Sequence, residues 1–121
     1  MTLQRLIQIG FWSTLAVVSW FAFSPHPPQI AVGDKLQHGF AFMVLCIMMA
    51  IAYPRLRWFH LFLLLSVFGA VIELIQAIPA LNRDSSFADW IADMVAIILA
   101  LVMIGAVRVI YRQFRTPSIH S

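Results

Sequence analysis

The chain has 121 residues, of which 62% are apolar and only 13 carry a formal charge, eight basic and five acidic. A soluble domain is roughly 45–50% apolar, and one this small needs a large polar share to cover its core. A soluble enzyme, a disordered chain and a disulfide scaffold are therefore excluded, and the expectation is an all-α integral membrane protein of one domain.

The net charge of +3 does not mark a nucleic-acid binder, because no run of Lys and Arg makes a basic patch in any soluble segment. The lone cysteine, Cys46, lies within an apolar run and reads as a small membrane-buried residue.

Four apolar stretches follow one another at about 6–24, 36–53, 59–80 and 90–107. Each approaches the ~20 residues that a helix needs to cross a hydrocarbon layer of ~30 Å. The runs are uninterrupted rather than alternating, which favours helices over barrel strands. The first follows Arg5 and resembles a signal peptide, but its apolar part exceeds the usual ~7–15 residue core, so it is read as a helix.

Ser24-Pro25-His26-Pro27-Pro28 ends the first stretch, since prolines remove donors and clash with a continuing helix. Tyr53-Pro54-Arg55 ends the second. Asn82-Arg83-Asp84-Ser85-Ser86 separates the third from the fourth, with Asp84, Ser85 or Ser86 as its cap.

With four spans, Arg5, Arg55, Arg57, Arg108, Arg112 and Arg115 share one side, and only Lys35 and Arg83 lie on the other. The positive-inside rule then puts both termini in the cytoplasm. Trp20 and Trp90 are expected at the outer interface, and Tyr53, Trp58 and Tyr111 at the inner one. His60, beside Arg55 and Arg57, belongs to the inner headgroup layer.

All five acids then fall in the outer half, although they come from three places in the sequence: Asp34, Glu73, and the group Asp84, Asp89 and Asp93. Lys35, His38, Gln76, Arg83 and Ser85 join them. Charged side chains in a membrane segment are costly unless paired, hydrated or protonated, so such a concentration is a functional candidate.

Helical spacing sharpens this. Asp34 and His38 are one turn apart, Ser66, Gly69, Glu73, Gln76 and Ala80 form one stripe, and Asp89, Asp93, Ala96 and Ala100 form another. Three such stripes facing one another would enclose an outward-opening polar pocket with an apolar floor.

The ordered set Asp34-Lys35-x-x-His38, Glu73-x-x-Gln76, then Arg83, Asp89 and Asp93 resembles the VanZ-like family of small bacterial multi-spanning membrane proteins. The likeness runs from Asp34 to about Ala100. It departs where the family often has tyrosine, asparagine and glycine and this chain has Phe42, Asp93 and Ala96, and Gln76 and Arg83 are further apart than usual. The family is named after a protein associated with teicoplanin resistance. The resemblance therefore implies a multi-pass protein of the bacterial cell (inner) membrane acting in glycopeptide resistance or envelope stress.

Three functions remain open. In the first, His38, oriented by Asp34, is a general base, Glu73, Asp89 and Asp93 are catalytic acids, bases or ligands of a divalent cation, and Lys35, Arg83 and Gln76 hold a lipid-linked or anionic envelope ligand. In the second, the same residues recognise that ligand or scaffold a partner without catalysis. In the third, the chain is a proton-coupled transporter working as a homodimer.

Overall fold

The computed structural model describes residues 2–23, 34–78 and 87–115, with the backbone alone for Asp34, Lys35 and Arg115. The described residues form four helices and no strand: α1 Leu3–Phe23, α2 Asp34–Ala52, α3 Trp58–Gln76 and α4 Phe87–Arg115.

Proline sets where α2 and α3 stop. The residue before a proline is driven out of the α region. α2 ends two residues before Pro54, and α3 ends three before Pro79. This corrects two expected boundaries. The third apolar stretch continues to Ala80 in composition, but its helix stops at Gln76 ahead of Pro79. The fourth continues as helix past Val107 to Arg115, because the change to basic residues at Arg108 marks a change of surroundings and breaks no hydrogen bond.

α1, α3 and α4 are long and apolar enough to cross a membrane, whereas the apolar part of α2, Leu36–Ala52, is shorter. At ~1.5 Å per residue that segment covers about 25 Å, confined between the charged pair Asp34-Lys35 and Pro54.

The chain runs up, down, up and down. α2 packs most extensively on α4, α1 lies against α2, and α3 lies against α4. The α1–α2 contact is pinned at one end by side chains that reach the last turn of α2. Gln4 and Gln8 both donate to the carbonyl of Ala52, Gln8 at 3.1 Å. A helix end leaves its last carbonyls without partners inside the helix, so these amides act as a tertiary cap. Beside them the Trp12 indole donates to the Tyr53 hydroxyl at 2.7 Å, and Phe11 meets the Tyr53 ring edge-on. Pro54 follows in the turn closed by Leu56 N–H donating to the Tyr53 carbonyl at 3.1 Å.

His60 helps to start α3. Its Nδ1 accepts from the Arg57 backbone N–H at 3.3 Å and its ring lies against Phe59.

The polarity of the bundle is inverted relative to a soluble protein. Trp20, Phe40, Leu74 and Phe87 are all at least 70% exposed, whereas Ser66, Glu73, Gln76, Asp89 and Asp93 are buried. Apolar groups outside and polar groups between helices are what a hydrocarbon solvent demands. Phe42, Leu45, Cys46, Leu65, Ile97 and Ala100 fill the centre below the polar group.

Candidate functional site

The site lies at the end of the bundle opposite Arg5, Arg55, Arg57, Arg108 and Arg112, one or two turns from the helix termini. His38 is in the second turn of α2, Glu73 in the last turn of α3, and Asp93 in the second turn of α4. One ring nitrogen of His38 and one carboxylate oxygen from each of Glu73 and Asp93 all lie within 4.8 Å of one another. Three helices thus each contribute one side chain to a single point.

Small residues make this convergence sterically possible. Gly39 faces Ala96, whose methyl would stand 3.6 Å from a Cβ at position 39. Gly69 is tighter. A Cβ there would meet Asp93 Oδ2 at 3.2 Å, Phe42 Cζ at 3.3 Å and Trp90 Cδ1 at 3.4 Å. The missing side chain of Gly69 is the space into which the Asp93 carboxylate, the Phe42 ring and the indole fit. Phe42, one turn below His38, is the floor of the group, and Phe68 stacks beside it at a centroid distance of 5.8 Å.

Asp93 is 1% exposed, and among the described residues neither of its oxygens has a hydrogen-bond partner. The Ser66 hydroxyl is also buried without a partner among those residues. Leaving a buried polar group unsatisfied costs about 1–3 kcal/mol, so an arrangement built only for stability would have filled these positions differently.

Gln76 divides its two ends. Its amide nitrogen donates to the Ala22 carbonyl at 2.7 Å, tying the last turn of α3 to the last turn of α1, while its oxygen has no partner among the described residues. The expected ligand-binding residue is therefore also a structural tie. Replacing it by Glu leaves only acceptor oxygens facing the Ala22 carbonyl. We expect Gln76→Glu to lower stability by about 2 kcal/mol, measured as thermal unfolding in detergent.

Asp89 is buried one turn before Asp93 but stands apart from the three-residue group. As an acid in the first turn of α4 it also meets the positive end of the helix dipole. The side chains of Asp34 and Lys35, and all of Arg83, Asp84, Ser85, Ser86 and Ala80, lie outside the described residues. The expected orientation of His38 by Asp34, the basic grip of Lys35 and Arg83, and the cap of α4 fall there.

The stripes of α3 and α4 meet as expected. Glu73, Gln76, Asp89 and Asp93 are buried, and His38 is only half-buried. One contact was not anticipated from sequence. Trp90, expected at the interface, is partly buried and donates its indole N–H to the Ser66 carbonyl of α3 at 3.1 Å. The available signal was its spacing of three from Asp93, which puts both on the face toward α3.

Comparison with known proteins finds no match among family models, curated proteins or solved structures. The site is therefore judged on its own geometry.

Proposed function

We propose that this is a VanZ-like protein of the bacterial inner membrane, with both termini in the cytoplasm, whose polar cluster at the extracytoplasmic end binds or modifies a lipid-linked or anionic envelope ligand such as a cell-wall precursor. The observation that carries the reading is the convergence of His38, Glu73 and Asp93 from three apolar helices. Polar side chains held inside a membrane bundle, with those of Asp93 and Ser66 lacking a hydrogen-bond partner among the described residues, favour a site over a structural network.

The gradient of burial gives the cluster a direction. His38, half-buried, is the member that meets the ligand, and Glu73 and Asp93 stand behind it. Lys35 and Arg83 flank the cluster in sequence and supply positive charge for a phosphate or carboxylate. The cluster's place near the helix ends argues against transport, since transporter sites gather near the bilayer midplane.

The test is protection of a teicoplanin-sensitive bacterial host expressing the chain. His38→Ala and Glu73→Ala, at protein levels equal to the parent, should each abolish protection. Full protection by both variants would remove the cluster from the function. Reporter fusions at residue 81 should read extracytoplasmic and fusions at residue 121 cytoplasmic; the reverse pattern would overturn the orientation.

A further inference from the structure

We propose that His38, Glu73 and Asp93 form a binding site for one divalent transition-metal ion, zinc or manganese, held between α2, α3 and α4. Three observations carry this.

The first is geometry. The three candidate donor atoms lie within 4.8 Å of one another. Around a four-coordinate ion with bonds of ~2.0–2.1 Å, neighbouring donors stand about 3.4 Å apart. Closing the difference takes side-chain rotation of about 1 Å and leaves the helices in place.

The second is the state of Asp93. It is 99% buried on its 1% exposure, and neither oxygen has a hydrogen-bond partner among the described residues. Its Oδ2 lies against Gly69, where a Cβ would stand 3.2 Å from it. A carboxylate held this way has both oxygens available to a cation.

The third is charge. Two carboxylates brought together in an apolar bundle repel. A divalent cation makes the trio neutral. Asp89, buried one turn away, adds negative potential favouring the same ion.

The donor set selects the metal class. Carboxylate oxygens suit magnesium, calcium and manganese, while an imidazole suits zinc, iron, copper and nickel. One nitrogen and two oxygens fall where zinc and manganese overlap. The only thiol, Cys46, is buried two turns below His38 among apolar residues and takes no part. Three protein ligands leave a coordination position for an outside oxygen, the pattern of a working site rather than a sealed structural one.

This inference uses the same cluster as the proposed function, and it rests on that reading only for the identity of the outside oxygen, which would come from the envelope ligand. Binding of the ion is read separately, on the untagged full chain purified in detergent, stripped with chelator and titrated with ZnCl₂ and with MnCl₂ by calorimetry. The expected result is one ion per chain for at least one of the two metals. His38→Ala and Asp93→Asn should each weaken binding at least tenfold, since even substitutions of groups behind a metal ligand cost roughly 10–100-fold.

Should these variants fail to fold, cobalt substitution of the parent chain decides. Nitrogen-15 labelling of histidine should reveal one coordinated imidazole, and its absence would overturn the site. Failure of the parent to bind either metal, or unchanged affinity in both folded variants, would also overturn it. Metal binding without envelope protection leaves this inference standing and removes the proposed function. Protection lost in His38→Ala and Glu73→Ala, with no metal bound by the parent, does the reverse.

Discussion

Asp93→Leu should give a protein that, stripped of metal, unfolds at a temperature equal to or above that of the parent. Most substitutions at a position 1% exposed destabilise. Here the parent carries a carboxylate with no hydrogen-bond partner among the described residues, next to a second buried acid, Glu73, and one turn from a third, Asp89. Removing a buried polar group that lacks a partner recovers about 1–3 kcal/mol of desolvation cost. Leucine keeps the branching at Cγ, and with no Cβ at Gly69 the branch that replaces Oδ2 meets only backbone there. The gain is read as thermal unfolding in detergent with chelator present. With metal added, the order should invert, because the parent gains stability from the ion and the variant does not.

Gly69→Leu should be the most damaging single substitution among the described glycines. Its Cβ alone meets Asp93 Oδ2, Phe42 Cζ and Trp90 Cδ1 at 3.2–3.4 Å, and the rest of the side chain has nowhere to go between α3 and α4. Overpacking of this kind costs about 3 kcal/mol and separates the helices that carry Glu73 and Asp93. Gly69→Ala should be close to neutral. Its neighbours yield by a few tenths of an ångström, and alanine recovers about 1 kcal/mol of helix propensity. Gly105→Leu is the contrasting case, with nothing within 4 Å of a Cβ there, and should leave stability unchanged or raise it. Unfolding temperatures of the three variants in one detergent check the order.

Much of the fold was legible because hydrocarbon solvent simplifies the code. An apolar run must be helical, and polar residues at steps of three and four within it must face protein. That is why Ser66, Gly69, Glu73 and Gln76 on α3 and Asp89, Asp93, Ala96 and Ala100 on α4 all prove buried. The errors came from reading boundaries by composition. Ile78 and Ala80 are apolar, yet α3 ends before Pro79, and Arg108 is charged, yet α4 continues past it. Proline chemistry is local and would have corrected the end of α3.

The convergence on His38 was legible only in part. Its placement at the polar end followed from the chain order, but its closeness to Glu73 and Asp93 depends on how tightly α2, α3 and α4 pack. That packing is set by Gly39 against Ala96 and by Gly69 against Asp93, pairings between distant positions that no periodicity reveals. The same holds for Gln76 with Ala22 and Trp90 with Ser66, tertiary hydrogen bonds linking residues 54 and 24 apart. Sequence spacing orients a side chain on its own helix and does not choose its partner on another.

The most direct test of the central claim, that the buried polar cluster is a functional site, is envelope protection by Asp93→Leu in the teicoplanin-sensitive host. This variant is expected to fold at least as well as the parent, so loss of function has no origin in folding. The account predicts that protection disappears at parental protein levels. Protection equal to the parent's would contradict it, and would make Asp93 a tolerated buried acid with no part in the function.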